Sequence, residues 1–397
     1  MQSAAILWHV TLLVPEDKRP LALGLVGLVR VVPIVLFSLL SGVAADVYNR
    51  RRLMLVTQSL MAMLAAGLAF ITWRGLDVVW PVYLLAAASS AAGAFDLPAR
   101  QALTPNLVPR EHLANALTLN TIMGQVASVL GPALGGIVIG QLGVGWAYAV
   151  NAVSFLAVIA ALLMMKDIRD RRGETRKTEF SVHAVMEGLR FVFGAPIIRS
   201  TLLLDFFATL FASATALLPL YASDILGVGA SGYGWLCAAP ATGAVVTSAI
   251  MIATIDRIEA RGKVLVVAVT LYGMATVAFG LSQSFWLSFC CLALSGAADT
   301  VSMVLRNLIR QLEAPDRLRG RMVGVSMVFF NGGPQLGELE AGLVAQWFGV
   351  VTSVVSGGVA CIGSTIWIAA TTPALRRYRR EEVGLPVDAS NAKVGPS

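Results

Sequence analysis

Charge is what this sequence has least of. Only 13% of its 397 residues are Asp, Glu, Lys or Arg, against 57% hydrophobic, and a water-soluble domain carries about twice that share of charge. A chain so poor in charge cannot bury its apolar surface in one water-facing core, so composition excludes a soluble protein and predicts a polytopic membrane protein. Histidine is scarce: His9, His112 and His183 are scattered. The cysteines Cys237, Cys290, Cys291 and Cys361 lie in apolar segments without a Cys-x-x-Cys pair, so neither a metal site nor a disulfide framework is expected. There is no Gly-x-x-x-x-Gly-Lys-Ser/Thr run to cradle ATP phosphates, no His-Glu-x-x-His and no Gly-x-Ser-x-Gly. Gly227-Val-Gly229-Ala-Ser-Gly232 matches a dinucleotide fingerprint by letter, yet it joins two apolar segments and follows no strand. No enzyme activity and no cofactor are therefore expected. Secondary transport is what remains.

The net charge of +7 raises the question of nucleic acid, and the placement of the basic residues answers it. Lys and Arg, apart from Lys18, Arg19, Arg74 and Arg30, fall in loops or helix ends of one side, which is the positive-inside pattern and not a nucleic-acid-binding face. Full-length membrane helices are predicted near 21–43, 53–73, 78–100, 115–141 and 145–166. A second set is predicted near 200–222, 230–254, 264–282, 284–308, 321–347 and 350–372. Met1–Val14 is too short for a span and reads as half of a first helix, as from a truncated or misassigned start. Counting it gives twelve, with both termini cytoplasmic once that helix is complete.

The chain thus divides into a membrane half over 1–166, a linker over 167–199, a second membrane half over 200–372 and a polar tail over 373–397, expected to be disordered beyond Glu382. Within the linker, Phe180, Val182, Val185, Met186, Leu189 and Phe193 follow a helical rhythm that predicts an amphipathic helix on the inner leaflet. The halves are repeats. At an offset of 206 residues Arg100 matches Arg306, Pro109 matches Pro315, Gly131 matches Gly337, Gly136 matches Gly342 and Gly143 matches Gly349. Parallel six-helix repeats place a substrate site between them. At the same offset Pro132 matches Glu338.

Ionisable residues inside apolar segments mark function, because a charge at the bilayer centre costs at least about 2.5–3.5 kcal/mol. Arg30, Asp205, Asp299, Glu338 and Glu340 qualify. Asp96 and Arg100, four apart near a helix end, read as a structural pair. The aromatic candidates for stacking on a substrate are Trp8, Phe206, Phe207 and Phe211, each of which could as well face lipid.

Two motifs carry a resemblance. The run Ala127-Ser-Val-Leu-Gly131-Pro132-Ala-Leu-Gly135-Gly136 resembles the antiporter motif of the fifth helix of major facilitator drug:proton antiporters, with Ala127 in place of the first Gly. The loop Gly42-Val-Ala-Ala-Asp46-Val-Tyr-Asn-Arg50-Arg51-Arg52 resembles that superfamily's signature between helices two and three, with Val47 for an Arg and Asn49 for a Gly. Further likeness to the enterobactin-exporter-like branch rests on Phe95-Asp-Leu-Pro-Ala-Arg-Gln-Ala102, Leu204-Asp-Phe-Phe207, Ala216-Leu-Leu-Pro219 and Gln335-Leu-Gly-Glu-Leu-Glu-Ala-Gly342.

The resemblance implies an all-α integral membrane protein of the major facilitator fold. It also implies proton-driven export of an amphipathic small molecule, a siderophore or drug-like compound, by alternating access. A transport-inactive sensor on the same fold is the competing class. The expected partners are a small-molecule substrate, protons and the lipid bilayer, not nucleic acid, for a monomer in the inner membrane. In this fold Asp46 would face the start of the eleventh helix near Arg319–Arg321, and Arg30 would close an outer gate with Glu338 or Glu340. Asp205 and Asp299, about 9 and 13 Å in from the cytoplasm at 1.5 Å per residue, would line the cavity as the proton carriers, with Arg306 as the rival partner of Asp299.

Overall fold

The computed structural model describes residues 1–109, 112–165, 182–212 and 214–379, and gives the backbone alone at 38–40, 42–47 and parts of 101–125, 182–188, 214, 256 and 316–331. The linker segment 166–181 and the tail 380–397 lie outside the described residues, as do the side chains of Asp46 and Arg319–Arg321, on which the expected loop contact depends. The chain runs as α1 (Gln2–Leu13), α2 (Arg19–Val47), α3 (Arg50–Trp73), α4 (Val79–Leu107), α5 (Leu113–Leu142) and α6 (Val144–Met164). After the linker come α7 (Val182–Gly194), α8 (Pro196–Phe211), the one-turn α9 (Leu218–Leu220), α10 (Gly229–Thr254), α11 (Arg261–Leu281), α12 (Phe285–Glu313), α13 (Asp316–Phe348), α14 (Val350–Thr371) and the short α15 (Pro373–Arg377).

Among the described residues, ten stretches are long and apolar enough to cross a bilayer. In α13, 33 residues long, the apolar run is diluted by Arg317, Arg319, Arg321, Glu338 and Glu340. The twelve-residue α1 is apolar but short. These are the twelve positions expected, and helices rather than strands fill them because a bilayer leaves no solvent to satisfy a lone N–H or C=O.

The seventh span differs from expectation. It was predicted continuous over 200–222, but α8 stops at Phe211 and the chain resumes through a 3-10 turn, α9 and a π-turn ending at Ile225. Pro219 has no N–H to give to the preceding turn, and the carbonyl of Ala212 at the break is taken by the Tyr272 hydroxyl at 3.1 Å. The linker helix forms at α7, and its Val192 packs into a buried cluster with Ile198, Leu202, Met322 and Val325. The Gly227–Gly229 run serves as a turn: both glycines sit at positive φ (61° and 63°) on the way into α10.

The repeat is visible in the backbone. Gly143 ends α5 at φ 91° and Gly349 ends α13 at φ 88°, a conformation few other residues tolerate. Across the halves, α2 crosses α13 and α5 crosses α10, both at the end away from the basic loops. A Cβ built on Gly24 would lie 3.0 Å from Gly342 Cα, and one on Gly234 would lie 2.6 Å from Gly136 Cα. Only backbones without side chains can approach so closely, and in lipid such close packing is what associates helices. The largest buried cluster, including Leu23, Tyr148, Tyr233, Phe279 and Ala345, joins both halves at this sealed end.

Replacing Gly24 or Gly342 by Val should force the α2–α13 crossing apart, since overpacking costs about 1–3 kcal/mol. Spin labels at Lys18 and Trp347, which flank the α2–α13 crossing, should then report a longer distance in a population raised about 5- to 150-fold. An unchanged distance distribution in both variants would mean that the glycine contacts do not limit the opening.

Candidate functional site

The densest set of buried charges lies between α8 and α12. Arg306, 2% exposed, places Nη2 at 3.0 Å from Asp205 Oδ1 and 3.3 Å from Asp299 Oδ1. Arg310, one turn further along α12, brings its Nη2 to 3.9 Å from Asp205 Oδ2 and donates through Nε to the Arg306 carbonyl at 3.2 Å. Asp205, Arg306 and Arg310 are buried, whereas the Asp299 side chain is 44% exposed. Two cations therefore balance two carboxylates, and three of the four are withdrawn from solvent. Helical spacing explains the grouping: Asp299, Arg306 and Arg310 recur at seven and four residues and so share a face of α12. Arg306 Nε and Nη1 and the Ser302 Oγ one turn earlier are buried without a hydrogen-bond partner.

The two carboxylates expected as a like-charged pair are thus brought together, with the rival partner Arg306 seated between them. Arg310 was missed by the sequence reading. Its signal was present in the i, i+4 spacing from Arg306, but it was read as one more residue of the basic side.

Asp96 is structural in the way its spacing suggested. Its Oδ1 accepts from Thr57 Oγ1 at 2.9 Å and Gln58 Nε2 at 2.8 Å, its Oδ2 pairs with Arg100, and it is 1% exposed. It ties α3 to α4. Among the signature-loop residues, Arg51 donates from Nε to the Leu162 carbonyl at 2.7 Å and from Nη2 to the Leu163 carbonyl at 2.9 Å. A cation there satisfies two unpaired carbonyls at the negative end of α6. Asn49, standing where the signature has Gly, caps α3 by accepting from the Arg52 N–H at 3.2 Å. Of Gly42 and Asp46 the backbone alone is described, and both lie in the last turns of α2. Arg50 begins α3.

The glycines of the α5 motif divide their work. Gly136 meets Gly234 of α10, while a Cβ on Gly135 would lie 3.2 Å from the Met1 side chain and one on Gly131 3.4 Å from the Met1 nitrogen. The helix runs unbroken through Pro132. At the other crossing, Glu338 is 7% exposed with Oε2 unpartnered, packed against Gly27, where an added Cβ would lie 2.7 Å from the Glu338 Cβ. Arg30 is within coulombic reach of Glu338 but donates to Ser3 Oγ at 3.0 Å, and it forms no ion pair with Glu338 or Glu340 among the described residues. Glu340 is half-buried on a different side of α13. Gly24, Gly27 and Gly234, which make these crossings possible, were not singled out from sequence, although their spacing to one another or to Gly232 was a signal.

The aromatic candidates separate. Phe206 lines an apolar cleft of about 420 Å³ with Val31, Val32, Val35, Phe329 and Leu336, its ring edge-on to Phe329 at 5.7 Å. Phe207 and Phe211 stack on each other at 5.8 Å and pack against the core of the second half. Trp8 stacks on Tyr233 at 5.3 Å.

Removing one member of the ion cluster should be worse than removing an opposed pair. Asp205→Leu leaves Arg306 and Arg310 with one carboxylate between them, a loss of about 3–5 kcal/mol, whereas Asp205→Leu with Arg306→Met exchanges one ion pair for apolar packing. Thermal unfolding in detergent should place the single variant well below the double. Equal midpoints would refute the coupling.

Comparison with known proteins agrees with this architecture. A family model described as transmembrane secretion effector matches residues 1–382. The enterobactin exporter EntS of Shigella boydii is 26% identical over 344 residues, covering 86% of this chain and 81% of that protein, and its Escherichia coli counterpart matches equally. Among solved structures, a D-xylose-proton symporter superposes with a TM-score of 0.73 at 12% identity over 95% of both chains. A bacterial homologue of the lysosomal transporter Spinster, in an inward-facing and occupied conformation, superposes at 0.69 and 14% identity over 95% of this chain and 96% of that one.

Proposed function

Since the chain belongs to the transmembrane secretion effector family of the major facilitator superfamily, we propose that it is a secondary active exporter of an amphipathic small molecule, siderophore or drug-like, driven by proton antiport. The observation that carries the coupling is Arg306 shared between Asp205 and Asp299. By the positive-inside rule the basic end faces the cytoplasm, so the glycine-sealed end is the outer one and this conformation is open inward. Each half, 1–166 and 200–372, rocks against the other.

In this conformation both aspartates find a cation, which suits a transporter that has released its proton to the cytoplasm. Both helices belong to the second half, so the pair would be opened by a shift of α8 against α12 within that half as the halves rock, and that shift would strip Asp205 of Arg306. A carboxylate left alone in a dry site is cheaper neutral than charged, so it would take a proton from the outer side. Return to the inward form restores the pair and expels that proton. Asp299, whose side chain is 44% exposed, is where the proton leaves. The outer gate is the α2–α13 crossing, with Arg30 and Glu338 flanking it, and Glu340 is the reserve carboxylate. The chain needs no cofactor and works as a monomer in the inner membrane. The name of the enterobactin exporters supports a siderophore-like cargo, and the apolar cleft at Phe206 suits any substrate with a hydrophobic face.

Asp205→Asn and Asp299→Asn, tested singly in proteoliposomes with an imposed pH gradient, should each retain substrate binding and lose gradient-driven export by at least about tenfold. Undiminished export in both would move the coupling to Glu338 or Glu340.

A further inference from the structure

The α2–α13 contact is close only where glycine allows it. From Gly24 and Gly27 toward the basic end the helices part, and the gap becomes the cleft lined by Val31, Val32, Val35, Phe206, Phe329 and Leu336. Its volume of about 420 Å³ lies within the range of ligand pockets, about 300–1,000 Å³. Gly332 belongs to its wall, and a Cβ added there would meet nothing within 4 Å. The space is therefore room, not a packing fault. Every side chain in the lining is apolar, and those on α2 fall inside the span Glu16–Phe37. Val32, Val35 and Leu36 are 47, 51 and 65% exposed at the mouth, an unpartnered apolar edge within the span.

Next to the apolar lining, toward the sealed end, α13 turns polar. Gln335 is one turn above Gly332 on the same face of α13, and its Oε1 is buried without a hydrogen-bond partner. Glu338, three residues further on, buries a second unpartnered oxygen. An acceptor left unmade in a dry place costs about 1–3 kcal/mol, which an incoming O–H or N–H would recover.

We infer that this cleft is the seat of the hydrophobic part of the transported molecule, reached sideways from the membrane, with a hydroxyl or amide N–H of that molecule bonded to Gln335. The inference rests on the exporter reading above and narrows its substrate class to membrane-partitioning amphiphiles whose donor group adjoins an aromatic or alkyl body. Phe206 and Phe329, edge to face at 5.7 Å, supply the aromatic wall. Phe206 also follows Asp205 directly in α8, so a filled cleft presses on the helix that carries one partner of Arg306. That contact gives substrate binding a route to the ion cluster.

The test is photolabelling of the full chain in lipid nanodiscs, without any gradient. The probe is an N-alkyl 3,4-dihydroxybenzamide with a diazirine in its chain, and the second arm is a phosphatidylcholine with a diazirine in its acyl chain. The benzamide should label peptides covering 31–36 and 329–336, and excess unlabelled benzamide should abolish the signal. Gly332→Trp should reduce it at least about fivefold, and Gln335→Leu should weaken half-saturation by about 5- to 150-fold. Gly363→Trp, another open glycine, on α14, should leave it unchanged.

Full labelling in Gly332→Trp would overturn the inference. So would labelling of the same peptides by the phospholipid that the benzamide does not displace, an arm that needs no variant and marks the cleft as a lipid-filled seam. Binding here needs no proton. Gradient-driven export with no labelling at the cleft would defeat this inference alone, and labelling without export would leave it standing while removing the antiport reading.

Discussion

Two places where one glycine backbone lies against another hold the halves of this molecule together. Hydrocarbon offers helices no hydrophobic reason to associate, so contact must come from dispersion at close range, and a Cβ at Gly24, Gly136, Gly234 or Gly342 would abolish that range. The rest of the architecture follows from where these contacts stop. The α2–α13 pair separates past Gly27, and the cleft begins there. Because the contacts are backbone on backbone, the seal is either closed or lost, which is the two-state behaviour that alternating access requires.

The charges obey a second constraint, which is neutrality in a dry place. Between α8 and α12 two arginines face two aspartates, and between α3 and α4 Asp96 faces Arg100 with two neutral donors completing its shell. These are the repeat-related positions, for Arg100 and Arg306 stand 206 apart. Two arginines at matching positions of the repeat therefore have different surroundings. The first has a half-exposed guanidinium on a carboxylate that two neutral side chains also serve, and the second is 2% exposed with two of its nitrogens unpartnered. Buried donors left unmade cost free energy, so the second arginine has more to gain from a new partner than the first.

Much of this was legible in the sequence because the bilayer allows so few solutions. Apolar runs of a span's length had to be helices, the basic loops set their alternation, and the offset between Gly143 and Gly349 announced the repeat that their matching positive φ angles display. What was not legible had a common cause: it depended on which residues meet between helices. Asp205 and Asp299 could be named as buried charges, but not that Arg306 would sit between them or that Arg310 would join. Phe206, Phe207 and Phe211 looked alike in sequence, and a rotation of about 100° per residue sends the first to the cleft and the other two to the core. The break after Phe211 was hidden because Pro219 lies beyond it, in a stretch apolar enough to read as one continuous span.

The two crossings are the same device built twice, and their one difference says which of them can respond. The Pro132 carbonyl faces Gly234, where an added Cβ would lie 2.9 Å away, and the Glu338 carbonyl faces Gly24 at 3.2 Å. Pro132 and Glu338 are therefore equivalent in space as they are in the repeat. At the α5–α10 crossing the side chain is a proline ring, inert to pH and substrate and incapable of donating to the helix. At the α2–α13 crossing it is a carboxyl group with one oxygen unpartnered, Arg30 in coulombic reach and the cleft just below. Of these two equivalent positions, only Glu338 carries an ionisable side chain. On the exporter reading proposed above, opening on the α2–α13 side would be the step that this carboxyl group can govern, with α5 and α10 as the close contact about which the halves would turn.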